Sequence, residues 1–174
     1  MANVNKKRVW LGTLVGGIVW SVWSGFINTA VLGSKYTVAM DAGSLLKEPH
    51  YPLFLVYWFI TLFVLTYILV WIYVQVRLTL GPGPLTAFRI GFLFGFAAAF
   101  PVNLTIASYA TFSRQIPLGW MCDLWVGAIL ATMAGAWIYR EAPASADAFC
   151  KKASTVVLPE SSFTKGCSSR QNCF

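Results

Sequence analysis

One histidine, four cysteines and six acidic side chains are all that 174 residues contain of the groups most often used in catalysis and metal binding. Each shortage removes a class of chemistry. With His50 alone, a bis-histidine haem or a histidine-rich metal site within one chain is excluded. None of Cys122, Cys150, Cys167 and Cys173 forms a Cys-x-x-Cys pair, and the last three are expected in a reduced cytoplasmic tail, so no disulfide is predicted. Cys173 is next to last, outside a prenylation box, which leaves acylation as the only lipid chemistry open to the tail cysteines. No serine, cysteine or carboxylate pair has the spacing of a nucleophile with its base, so no catalytic residues and no enzyme are predicted. Charged residues make up only 11% of the chain against 57% hydrophobic, too little polar surface for a soluble domain of this length.

What fills the chain instead is four apolar stretches: Val9–Leu32, Pro52–Val76, Ile90–Phe112 and Ile116–Tyr139. Across all of them the only charged side chain is Asp123. Each exceeds the roughly 20 residues that a helix needs to cross a hydrocarbon core, and in lipid a helix satisfies its own backbone. The expected fold is an all-α integral membrane protein, an antiparallel bundle of four transmembrane helices over about 9–32, 52–76, 86–112 and 116–139. Residues 1–140 form this domain, and 141–174 form a basic cytoplasmic tail, either mobile or folded on a partner.

Lys and Arg set the orientation. Lys6, Lys7 and Arg8 precede the first span, Arg77 and Arg89 lie between the second and third, and Arg140, Lys151, Lys152, Lys165 and Arg170 follow the fourth. Only Lys35, Lys47 and Arg114 occupy the other two loops, so both termini are expected in the cytoplasm. The first apolar run is too long for a signal-peptide core and no Ala-x-Ala site closes it, so it is read as a span. The net charge of +7 sits at these ends and not in a stripe, which argues against nucleic acid as a partner and for membrane lipid.

Small residues recur at steps of four. Gly91, Gly95, Ala99 and Asn103 mark the third span, and Asp123, Gly127, Ala131 and Gly135 the fourth. Aligned as a hairpin they pair Gly91 with Gly135, Gly95 with Ala131, Ala99 with Gly127 and Asn103 with Asp123, which predicts close packing of these two helices. The first span carries Gly17, Ser21, Gly25 and Thr29 on one face and Gly12, Gly16, Trp20, Ser24 and Asn28 on the next, the pattern of a central helix with two partners. The second span has no glycine or alanine and is crowded with aromatics, so it is expected to form a wall toward lipid or another subunit, with Tyr57, Trp58, Trp71 and Tyr73 near the interfaces. A kink is expected around Ala97–Pro101, a rigid turn at Leu80–Pro84, and a short interfacial helix over Ala42–Leu46.

Asp123 should lie about five residues, or roughly 7 Å, inside the outer end of the fourth helix. Ionised and unpaired there, it would cost on the order of 1–3 kcal/mol. Asn103, Ser24, Asn28 and Tyr57 share that leaflet and define a candidate polar site, with Arg114 expected to reach Asp123 by snorkelling. The sharper reading is a proton, ion or small polar ligand bound by the cluster. His50, at the outer mouth of the second span, has an ordinary interfacial role as its simplest reading. The other is one contact to a pigment magnesium or a quinone at a shared interface. No cofactor is otherwise predicted.

The segments Arg8-Val-Trp-Leu-Gly-Thr-Leu-Val-Gly-Gly, Trp23-Ser-Gly-Phe-Ile-Asn, Lys47-Glu-Pro-His-Tyr-Pro, Phe100-Pro-Val-Asn and Asp123-Leu-Trp-Val-Gly-Ala-Ile-Leu-Ala-Thr together resemble a group of small four-span bacterial membrane proteins without an assigned activity. The resemblance covers about residues 8–140. It implies a bacterial inner membrane and a four-helix fold, and no functional residues. The leading expectation is a non-enzymatic accessory or scaffold subunit that packs against larger integral membrane proteins, as in a respiratory or photosynthetic assembly. The alternative is a small transporter or sensor built on Asp123.

Overall fold

The computed structural model describes residues 6–139, so the tail expected over 141–174, with its three cysteines, lies outside the described residues. Helix α1, Lys6–Phe26, runs into a π-helical turn, Ile27–Val31, and then into α2, Gly33–Asp41. Three long helices follow: α3, Phe54–Leu80; α4, Pro84–Tyr109; and α5, Gln115–Ile138. Four segments are long and apolar enough to cross a membrane, namely Lys6–Val31, Phe54–Arg77, Pro84–Tyr109 and Gln115–Ile138, the pattern of an all-α, multi-pass membrane protein.

Burial supports lipid as the solvent. The interior includes Thr13, Ser24, Thr66, Thr86, Asn103, Asp123 and Thr132, while Trp10, Leu14, Val22, Leu55, Leu93 and Trp137 face outward. A water-soluble protein keeps such polar groups mostly outside. The buried threonines cost little, because Thr13, Thr66 and Thr132 each donate to the carbonyl four residues earlier, at 2.7–2.9 Å.

The central position expected for the first span is shared by α5 and α3, each of which touches the other three long helices. Helix α1 has two partners, α3 and α5, and does not touch α4. The reason lies in α5, which presents small side chains on two faces. A Cβ on Gly12 would meet the Gly135 carbonyl at 3.0 Å, one on Gly16 the Ala131 carbonyl at 2.6 Å, and one on Gly127 the indole of Trp20. The stripe Gly127, Ala131 and Gly135 therefore serves α1. Helix α4 packs beside it, with a Cβ on Gly91 meeting Ile129 at 2.7 Å and one on Gly95 meeting Ala128 at 2.9 Å. The interface of α4 with α5 is still the most extensive of the bundle, but the hairpin pairs read from the sequence are shifted by about one to two turns. Gly17 packs on the ring of Phe63 of α3, whereas nothing approaches Gly25.

Helix α3 is only partly a wall. Tyr57 and Trp71 are exposed, but Tyr73 is buried in the core with Leu62, Leu69, Val70 and Val74. Its end is set by Gly81, whose φ of 84° favours glycine, and Pro84 opens α4, where a missing N–H costs nothing. Pro101 lies inside α4, which continues to Tyr109 and stops where Ala110 turns extended. At the same end of the bundle as Gly81, Arg77 donates to the Tyr139 carbonyl at 3.1 Å and lies 5.1 Å from that residue's ring centre, joining α3 to the end of α5. The expected helix at Ala42–Leu46 is instead a pair of turns, and the helix of this loop lies earlier, at Gly33–Asp41.

Candidate functional site

The α1–α5 seam ends in chemistry. After Gly12 on Gly135, Gly16 on Ala131 and Trp20 on Gly127, the next step of four on each helix brings Ser24 to Asp123. Ser24 Oγ donates to Asp123 Oδ2 at 2.8 Å, and Asp123 is only 1% exposed. One turn on, Asn28 stands in the π-helical turn. Its Nδ2 donates to Asp123 Oδ2 at 3.1 Å and to the Ser24 carbonyl at 2.9 Å. Single π-type turns within helices are frequent at functional sites, because the extra residue redirects side chains that a regular helix would space evenly.

Helix α2 folds back over this pair. Tyr36 donates to Asn28 Oδ1 at 2.6 Å and accepts a bond of 2.6 Å from Trp120 Nε1 of α5. Trp58 of α3 donates to Ser24 Oγ over a longer 3.4 Å. Five side chains from α1, the π turn, α2, α3 and α5 thus form a single hydrogen-bonded array around Asp123. Asp123 Oδ1 has no hydrogen-bond partner among the described residues.

Tyr36 lies outside the spans and titrates above its ordinary range. Burial is the main cause and the bond from Trp120 opposes it; Asp123 adds to the rise only when it is ionised.

Of the residues singled out by sequence, the structure brings together Asp123, Asn28 and Ser24. It does not add Asn103, Tyr57 or Arg114. Asn103 is buried on α4 but donates to the Ala99 carbonyl of its own helix at 2.8 Å. Tyr57 points outward at 59% exposure, and its neighbour Trp58 is the residue that turns in. Arg114 is exposed at the N-terminus of α5, beside a surface depression it shares with Ser108, Ser113 and Gln115. No salt bridge joins it to Asp123 among the described residues, because nine residues at about 100° each place the two on opposite sides of one helix. His50 is exposed and stands edge-on to Tyr51, 5.9 Å between ring centres.

Sequence reading missed Tyr36, Trp58 and Trp120. The signal was present in their type, since Tyr and Trp near a membrane interface carry an apolar body and a polar tip that seeks a partner when buried. Which of the many aromatics turns inward was not written in the pattern. Trp20, Leu65, Leu69, Phe94, Gly95 and Ala128 help to line an apolar recess of about 80 Å³ that opens to the surface of the bundle beside the exposed Phe94. No group of three or more metal-binding side chains occurs among the described residues.

No protein-family model, curated protein or solved structure matches the chain. The chemistry of the site therefore has to be judged from its own geometry.

Proposed function

We propose that the chain is a non-enzymatic accessory or scaffold subunit of a larger membrane complex, of the energy-transducing kind found in respiratory or photosynthetic assemblies. It sits in a bacterial inner membrane as an antiparallel four-helix bundle with both termini in the cytoplasm. The observation that carries this reading is the closed seam between α1 and α5. Gly12 and Gly16 lie so near the backbone of Gly135 and Ala131 that little room for a substrate path is left there. Contacts that climb α1 as they descend α5 support the antiparallel order, and the distribution of Lys and Arg supports the orientation. The resemblance noted above supports the bacterial membrane. The exposed flank of α3, with Phe54, Tyr57, Phe59, Tyr67 and Trp71, offers aromatic surface to neighbouring helices.

Extraction of the native membrane in gentle detergent, with mass spectrometry and an absorption spectrum of what copurifies, tests this. Larger integral subunits in fixed stoichiometry are expected. A stable, colourless, solitary chain would defeat it.

A second reading, a small transporter or sensor, is favoured by one specific observation. The carboxylate of Asp123 is enclosed by a built hydrogen-bond array that leaves one of its oxygens uncovered by any donor. Replacement of Asp123 by Asn with all function retained would remove the basis of this reading.

A further inference from the structure

Both hydrogen bonds to Asp123 end on the same oxygen. Oδ2 accepts from Ser24 and from Asn28, while Oδ1 has no partner in a residue that is 1% exposed. An ionised carboxylate has two equivalent oxygens, and a buried site made for it supplies donors to both. A carboxylic acid has two different oxygens, a carbonyl that accepts and a hydroxyl that donates. The array around Asp123 has the second kind of asymmetry.

The charges nearby agree. Helix α1 and the π turn offer Ser24 and Asn28, α3 offers Trp58, and α2 offers Tyr36 through Asn28. Tyr36 is the only other titratable member of this array, and a phenol is neutral at neutral pH. On α5 itself Arg114 is exposed and on the far side. No salt bridge reaches Asp123 among the described residues. A buried carboxylate without a counter-ion costs far more than a buried neutral acid with one unpaired hydroxyl.

We propose that Asp123 is a proton-binding site, carrying its proton on Oδ1 in the folded bundle, with Oδ2 as the carbonyl oxygen read by Ser24 and Asn28. The proposal deepens the second reading by naming the proton as ligand, and it holds equally for a bundle that works within a complex. The array is a cage and not a wire: an indole only donates, and an amide does not pass protons readily. Exchange of the proton therefore requires Asp123 to open toward water by a route other than Asn28 and Tyr36.

Infrared spectroscopy of the full chain in lipid vesicles tests the assignment. At neutral pH the wild type is expected to show the carbonyl band of a protonated carboxyl group that moves on ¹³C-aspartate labelling. The band should vanish in Asp123→Asn and persist in Asp41→Asn and Asp147→Asn. Ser24→Ala, which leaves the acid in place, should move it to higher frequency by removing one donor from Oδ2. Only ionised carboxylate bands in the wild type, a band that survives Asp123→Asn, or one unmoved by Ser24→Ala would each overturn the proposal. Proton flux into the same vesicles separates this from the transport reading. A band without flux keeps the proton site and defeats transport.

Discussion

Trp120 Nε1 donates to the Tyr36 hydroxyl at 2.6 Å, and because an indole nitrogen only donates, Tyr36 is the acceptor of this contact and its own hydrogen is left for Asn28 Oδ1. The Ser24 carbonyl, which only accepts, sets the Asn28 amide with Nδ2 toward it and toward Asp123, and this leaves Oδ1 to accept the hydrogen of Tyr36. The opposite flip would set an amide oxygen against a carbonyl and a carboxyl group. A surface helix is thereby held to a buried acid through three directional bonds.

Tyr36→Phe keeps the ring and removes both of its bonds, leaving the Trp120 indole and Asn28 Oδ1 without this partner. The expected loss is about 1–3 kcal/mol. It should appear as faster hydrogen exchange over residues 33–41, with little change in α4. Unchanged protection of α2 would mean that the helix is held by its apolar contacts alone.

Alkaline pH should loosen the same contact. The Tyr36 hydroxyl titrates above its ordinary value of 10.0 in the folded bundle, so the folded state retains the proton more strongly than the unfolded chain. The resulting stabilisation is complete below about pH 10 and is lost as pH rises through the folded-state value. A pH series of unfolding measurements should show this decline in the wild type and not in Tyr36→Phe.

Glycine substitutions should separate packed from open positions. A Cβ at Gly16 would lie 2.6 Å from the Ala131 carbonyl and 2.9 Å from Thr66, so Gly16→Ala is expected to force α1 from α5 at about 1–3 kcal/mol. Gly25 meets nothing within 4 Å, and Gly25→Ala should be neutral or stabilising by up to about 1 kcal/mol. Denaturant titration in mixed micelles would rank them. Equal effects would contradict the seam.

Ser24 and Asp123 should prove energetically coupled. A double-mutant cycle with Ser24→Ala and Asp123→Ala is expected to give about 0.5–1.5 kcal/mol of interaction, in the range found for buried polar pairs between membrane helices. The same cycle with Asn103→Ala in place of Ser24→Ala should give a value near zero, because Asn103 bonds its own helix.

The spans were legible because a run of twenty apolar residues has few other solutions, and Asp123, Ser24 and Asn28 were legible as rare polar groups at one depth. The close packing of α4 on α5 was legible as well, but the register of that pair and the partner of the Gly127 stripe were not. Three helices carry small residues at steps of four, and a stripe such as Gly127, Ala131 and Gly135 fits any of the others equally well on paper. The Trp20 indole over Gly127 and the Phe63 ring over Gly17 settle the pairing, through shapes that a list of small residues does not hold. Arg114 was misplaced for a related reason. Nearness in sequence is not nearness in space here, since nine residues end on the opposite side of a helix.

A π-helical turn is an α-helix with one residue too many, and Ile27–Val31 is the place where this chain absorbs that residue, with the Leu32 N–H reaching back to the Ile27 carbonyl at 3.0 Å. Removing one residue there would let α1 and α2 join as an unbroken rod. Everything beyond would then swing by about 100° around the helix axis, carrying the Tyr36 hydroxyl away from Asn28. The extra residue works as an angular offset, and a single-codon deletion at Thr29, Ala30 or Val31 would uncouple α2 from the carboxyl group beneath it while leaving every side chain of the array in the sequence.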